Sequence, residues 1–162
     1  MQFKIEEIEK GLKKYSDEKA SVENHLEIFD TLAFQVFSNQ EWVRLHESHS
    51  DSIKVNWPDG HQSFGINTYN ENLKALFVYA PDTKIISHPM KFGSGEFTCV
   101  MGIVTGTFSK PMPIAGGKFI QPTGKKYSIP MCTVGHWKNG VIAEEWLYWD
   151  NAAFMKQIGL TP

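Results

Sequence analysis

Two residues able to move protons bracket one short aromatic segment, HWKNGVIAEEWLYWDN, which begins at His136 and reaches Asp150 just before its end. A carboxylate and an imidazole in one pocket make a general base and its partner. Burial among Trp146, Tyr148 and Phe154 would favour proton abstraction by such a carboxylate, because desolvation disfavours its charged form. A structural role fits the same aspartate. It precedes Asn151 and the amphipathic run NAAFMKQIG, so either residue suits a helix N-cap contributing about 1 kcal/mol. The two roles are compatible if Asn151 caps and Asp150 faces a cavity.

Strand register decides whether His136 and Asp150 meet. A two-residue type I′ turn at Asn139-Gly140 pairs His136 with Ala143 and puts the two groups on opposite faces. A three-residue loop, Lys138-Asn139-Gly140, ending in a glycine bulge pairs His136 with Ile142. Positions 136, 142, 144, 146, 148 and 150 then share one face. On that register Glu144 stands beside Asp150 as a supporting carboxylate, while Glu145 faces away.

Other chemistry-bearing residues are scattered. His88, in IISHPMKF, is either a cavity group or a structural histidine. Trp42, Trp57, Met90 and Met101 are cavity-wall candidates with plain core as the alternative. His46 and His49 have a spacing that would align two metal ligands on a helix. Ser48, Ser50 and Asp51 end the helix there, so no metal site is expected. There is no GxGxxG, P-loop, CxxC or GxSxG pattern, and no cofactor is expected. Gly93-Ser94-Gly95 reads as a hairpin turn.

These residues need a scaffold. The 162 residues suit one domain, and 41% hydrophobic with 13% aromatic residues suffices for a core and a lined cavity. A formal net charge of −2 gives no basic footprint, so no nucleic-acid partner is expected. No apolar run approaches a membrane span, and MQFKIEEIEK is charged where a signal peptide is apolar. Cys99 and Cys132 read as buried thiols rather than a bridge. A cytoplasmic protein is expected.

The first third is helical. Ile5, Ile8 and Leu12 form a narrow stripe, and residues 1–20 read as a helical extension. Ser21 opens a wider apolar face through Val22, Leu26, Phe29, Ala33, Val36 and Phe37. Ser38 or Asn39 caps a short helix containing Trp42. SIKVNW is a strand followed by a PDG turn, and residues 67–79 are helical until Pro81. KIISHPMKF, EFTCVMGIVTGTF, KKYSIPMCTVGHW and VIAEEWLYW then read as strands. Helices followed by an antiparallel meander predict an α+β domain with helices on one face of the sheet, and a ligand cavity between the layers.

The C-terminal third is more specific. Gly106-Thr107, Pro122-Thr123-Gly124-Lys125, His136, Gly140-Val141-Ile142-Ala143-Glu144-Glu145-Trp146, Asp150 and Gln157-Ile158-Gly159 together resemble the SnoaL-like polyketide cyclases of the nuclear-transport-factor-2-like superfamily. The resemblance implies a cone-shaped fold with N-terminal helices on a strongly curved antiparallel sheet, and a single domain over residues 1–162. It implies acid/base chemistry by Asp150, assisted by His136, and it selects the bulged-loop register. The chain departs from the pattern at Phe108, where the family often has histidine, and in the longer loop 109–124. A cofactor-independent enzyme acting on a small apolar or aromatic carbonyl compound is expected, as a homodimer through the open sheet face. A non-catalytic binding module of the same fold, and a cavity filled by side chains, are the alternatives.

Overall fold

The computed structural model describes residues 2–160, with side chains from Lys4 onward. Helix α1, Gln2–Thr31, runs without the new start expected at Ser21. No proline interrupts it, and its one glycine, Gly11, lies at an exposed position where the cost is only about 1 kcal/mol. In its first half residues 4–21 are all exposed, with Glu18 accepting from the Gly95 amide at 2.9 Å, and burial begins at Val22, His25 and Phe29. The His25 ring stacks on Trp137 with centroids 4.3 Å apart, and burial lowers its pKa.

After α1 the chain widens into a π-helical turn, Leu32–Phe37. Ser38 closes that turn by donating to the Ala33 carbonyl at 2.7 Å and accepting from the Ile85 amide at 3.0 Å. It therefore does not cap the next helix as expected. The 3-10 helix Trp42–Glu47 starts at Glu41 with no side-chain cap.

The remaining elements are β1 (His49–Asn56), β2 (Gln62–Phe64), α2 (Ile66–Tyr79), β3 (Lys84–Ser94), β4 (Phe97–Thr107), β5 (Met112–Ile114), β6 (Lys118–Ile120), β7 (Lys126–Lys138), β8 (Val141–Trp149) and α3 (Asn151–Gln157). Six strands form one sheet in the order β2-β1-β8-β7-β4-β3. Its pairs are antiparallel except β1 with β8, which is parallel, so the sheet is mixed and largely antiparallel. The domain is α+β, with N-terminal helices packed on this sheet. The 109–124 segment carries a separate two-stranded hairpin, β5-β6.

Alternation sorts the sheet into two faces. Along β4, Thr98, Val100 and Val104 are buried towards the helices, while Phe97, Cys99, Met101 and Ile103 point outward. The outer face is apolar across several strands, with Met90, Phe92, Phe97 and Tyr148 exposed. Cys99 and Cys132 sit on it unbridged, their sulfurs 3.6 Å apart. Burial, then the neighbouring Cys99, pushes the Cys132 thiol up to about 11.

The β7-β8 register corrects the expected bulged loop. Asn139 and Gly140 have φ of 52° and 81°, the mirror-image turn that Asn-Gly favours. Lys138 faces Val141 and Trp137 faces Ile142 across it. One residue later the register slips, and His136 pairs with Glu144. The extra residue is Ala143, a β-bulge in β8. His136, Glu144, Trp146 and Tyr148 do share a face, but Ile142 does not, and theirs is the outer one. Ile142, Glu145 and Leu147 point inward and are almost fully buried.

Gly106 shows how tightly the inner face is packed. It pairs with Tyr127, whose phenolic oxygen would lie 2.5 Å from an added Cβ. That oxygen is held by Thr83 at 2.6 Å, so the ring is not free to yield. Gly106→Ala is expected to destabilise the fold by about 1–3 kcal/mol through overpacking, read as a lower urea midpoint at unchanged slope.

Candidate functional site

Two adjoining cavities lie between the helices and the inner face of the sheet. The larger is about 260 Å³ and the smaller about 50 Å³. Phe37, Leu73, Val104 and Met131 line both. The larger chamber is largely apolar, walled by Trp57, Leu147, Trp149 and Phe154. Its phenols, Tyr79 and Tyr127, are each pushed up to about 12, chiefly by burial, and so stay neutral in ordinary buffers.

The smaller chamber collects the polar groups. Glu145 enters it from β8, Tyr69 from α2, His88 from β3 and Thr133 from β7. The Ala143 bulge turns Glu145 inward, leaving it 1% exposed. Its Oε2 has no hydrogen-bond partner among the described residues, and neither does Nε2 of His49, which lies 3.8 Å away. An unsatisfied buried polar atom costs roughly 1–3 kcal/mol, more when charged. Native structures keep few such atoms, and each calls for a reason. Burial, and then the adjacent Glu145 carboxylate, pushes the Tyr69 phenol well above its ordinary value. Tyr69 is therefore a hydroxyl donor at neutral pH.

His88 is oriented from outside the chamber. Its Nδ1 lies 2.7 Å from Oδ1 of Asp30 on α1. A carboxylate only accepts, so Nδ1 carries the proton and donates it. Burial alone would raise the Asp30 pKa, but hydrogen bonds from Lys91 and His88 outweigh it and hold the carboxyl below its usual range. With Nδ1 committed to Asp30, Nε2 is the ring nitrogen left for other contacts. Phe34 and Phe29 flank the ring at 4.5 and 5.7 Å. Gly102 supplies the floor, since a Cβ there would be in contact with the ring at 3.5 Å.

A small enclosed carboxylate, phenol and imidazole opening on a larger apolar chamber can abstract a proton and stabilise the resulting charge. Family comparison accords with that architecture. Residues 27–158 match the model of the SnoaL-like polyketide cyclases. The chain belongs to that family. Its fold is similar to a provisionally assigned SnoaL-like polyketide cyclase from Jannaschia sp. CCS1, with 18% identity over 87% of this chain and 95% of that one and a TM-score of 0.74. It is also similar to IdmH, provisionally assigned as a polyketide cyclase, from Streptomyces antibioticus, with 17% identity over 83% and 98% of the two chains and a TM-score of 0.71. A nuclear-transport-factor-2-like protein of unknown function from Burkholderia pseudomallei K96243 aligns with 13% identity over 84% and 98%, at a TM-score of 0.67. No curated protein matches the sequence significantly.

Within this SnoaL-like domain the residues singled out in the sequence are dispersed. Trp57 and Phe154 line the larger cavity and His88 the smaller. Met90, Met101, Trp146 and Tyr148 lie on the outer face, because an open sheet face can be as apolar as a covered one. Trp42 packs edge-on against Phe37 and Phe77 and lines neither cavity. Glu144 is also outside, bound to Lys54 at 2.9 Å and Asn56 at 3.1 Å, contacts that hold its carboxyl below the usual range. His46 and His49 do not share a helix face: His46 bonds back to the Val43 carbonyl, while His49 begins β1 and is buried.

His136 stacks on Phe97 at 4.5 Å and contacts Glu96 at 3.3 Å. Asp150 is the N-cap of α3, its Oδ1 accepting from the Ala153 amide at 2.9 Å, and it is exposed. The two are not in contact. Glu145, Tyr69, His49 and Asp30 were not anticipated. The signal available for Glu145 was the adjacent Glu-Glu pair in an apolar strand, of which alternation must bury one.

Asp150→Ala is expected to cost about 1 kcal/mol of stability through loss of the cap. Equilibrium urea unfolding measures it, with the Asn variant, which keeps a cap acceptor, expected near wild type.

Proposed function

We propose that this SnoaL-like domain is an acid/base enzyme acting on a small, largely apolar carbonyl compound, with Glu145 as its base. The observation that carries the reading is the buried Glu145 carboxylate on the wall of the small chamber, with an oxygen that no protein group satisfies. The apolar part of the substrate occupies the larger chamber and the carbonyl end reaches the smaller one. Glu145 takes a proton from the carbon next to the carbonyl. The C–H electron pair becomes the new C=C bond and the carbonyl oxygen gains the charge. Tyr69 donates to that developing oxyanion. His88, held by Asp30, accepts or returns a proton through Nε2. The enolate can close a ring by aldol addition or be reprotonated elsewhere as an isomer. None of these steps calls on a cofactor. In this reading the acid/base role expected at Asp150 and His136 passes to Glu145 and His88, because the first pair lies away from both cavities.

The test is deuterium uptake at the carbon next to the carbonyl, followed by NMR across a panel of cyclic and linear ketones in D2O. Wild type is expected to accelerate exchange for the compounds that bind. Glu145→Gln is expected to lower that rate by roughly 10²–10⁴-fold, with Asp150→Asn and His136→Ala unaffected. Binding without any exchange in the wild type would sink the enzyme and leave a small-molecule-binding module.

A homodimer belongs to the same proposal. Met90 and Phe92 of β3, Phe97 and Met101 of β4, and Trp146 and Tyr148 of β8 form an apolar outer face, and a second copy applied to it covers both patches at once. Sedimentation of Tyr148→Glu is expected to show a monomer where wild type shows a dimer, and a monomeric wild type would count against it.

A further inference from the structure

The orphaned Nε2 of His49 faces the orphaned Oε2 of Glu145 across 3.8 Å, both side chains almost wholly buried. On the other side of the ring, Nδ1 lies 2.9 Å from the Ser48 hydroxyl. That hydroxyl is also 3.2 Å from the Leu45 carbonyl. Ser48 has one proton and two acceptors in reach, so its choice sets the imidazole tautomer.

If Ser48 donates to Leu45, a neutral His49 must place its proton on Nδ1 to satisfy the Ser48 oxygen. Nε2 then turns a lone pair towards a buried carboxylate, and two acceptors face each other with no proton between them. If Ser48 donates to Nδ1, the proton sits on Nε2 and points at Oε2. A closure of about an ångström then brings the pair to hydrogen-bond distance and satisfies both orphaned atoms together. The other polar groups facing Glu145 are Tyr69 from α2, and His88 and Thr133 across the chamber. A hydrogen bond between Tyr69 and the Glu145 carboxylate contributes to the raised phenol pKa, but Oε2 itself is left without a partner, so His49 is the donor in place for that oxygen.

We propose that His49 is the positioning residue for Glu145, carrying its proton on Nε2 and donating it to the carboxylate, with Ser48 fixing that tautomer from the far side. The proposal rests on reading Glu145 as the base, and it assigns His49 no contact with substrate. The relay Ser48–His49–Glu145 runs from the end of the 3-10 helix through the first residue of β1 to β8. It stops the carboxylate from swinging out of the chamber.

Nitrogen-15 NMR of the full chain at neutral pH tests this without any substrate, because the ring nitrogens of a neutral histidine report their tautomer directly. His49 is expected to show a protonated, pyrrole-type Nε2 and an unprotonated, pyridine-type Nδ1, assigned by loss of those signals in His49→Gln. Ser48→Ala keeps the ring and removes the donor, and is expected to shift His49 towards the Nδ1–H form. Should His49→Gln fail to fold, that Ser48→Ala shift makes the assignment instead. Glu145→Gln is expected to move the Nε2–H proton signal. A wild-type His49 protonated on Nδ1, or a tautomer indifferent to Ser48→Ala, overturns the proposal. The two readings separate cleanly. The expected tautomer with exchange activity untouched by Glu145→Gln would leave the positioning intact and remove Glu145 as the base, whereas the opposite tautomer with activity lost in Glu145→Gln would do the reverse.

Discussion

One extra residue in β8 decides which carboxylate the cavity receives. Strict alternation from the inward Ile142 would send Glu144 inside and leave Glu145 in solvent. The bulge at Ala143 shifts the phase by one, so that Ile142, Glu145 and Leu147 face the helices while Glu144 meets Lys54 and Asn56 outside. The neighbouring strand adapts to it. In β1 the partner of Ile142 is His49 and the partner of Glu144 is Lys54, an irregularity that leaves His49, Ile53 and Val55 all buried. Two local departures from regular pairing thus put an imidazole beside a carboxylate in the interior. A one-residue slip moves every later side chain of a strand to the other face, so the whole polar chamber depends on that bulge.

The chamber is costly in isolation. It buries a carboxylate, two histidines and a phenol in an otherwise apolar layer, and leaves Oε2 of Glu145 and Nε2 of His49 without partners. Such groups subtract from stability, and the offset comes from the packing around them. The cluster of Phe29, Leu32, Val36, Ile53, Val55 and Trp137 closes one side, and the Tyr127, Ile129 and Phe154 group supports the other. Natural sequences break the rule against unpaired buried polar groups mainly where function requires it. The asymmetry between the chambers is consistent with that: the carboxylate and imidazole lie at the 50 Å³ end, and the 260 Å³ end has largely apolar walls with only phenols and amides among its polar groups.

Much of the scaffold was legible because it is periodic. The 3.6-residue spacing in 67–79 and the β-rich runs from Lys84 onward correspond closely to α2, β3, β4, β7 and β8. Asn139-Gly140 by itself points to the two-residue turn that forms, since both positions need positive φ and those two residues supply it at low cost, but the family resemblance selects the three-residue bulged loop instead. The consequence of the turn was not legible. Ala143 lies in an unremarkable Val-Ile-Ala-Glu-Glu run, and nothing in its chemistry announces a bulge. Hydrophobicity likewise does not tell which face of a sheet is covered, so Met90, Met101, Trp146 and Tyr148 read as cavity wall while lying outside. Asp30, His49 and Tyr69 are far from Glu145 in sequence and meet it or its chamber only through tertiary packing. Local reading found Asp150's cap, because a cap is a local interaction.

The departures from the family pattern bear on where the polar groups went. At Phe108, where the family often carries histidine, the side chain is fully buried and packs edge-on against Tyr79 at 5.9 Å. A polar group at that position would lie against the wall of the larger chamber, which here stays apolar except for neutral phenols and amides. Phe108 brings no proton-handling group to that wall. It leaves His88, with Asp30 behind it, as the imidazole that shares a chamber with the buried carboxylate. On the proposed reading the chemistry is concentrated at the narrow end of the cavity, where a substrate would insert its reactive carbon while the wide end tolerates variation in the rest of the molecule.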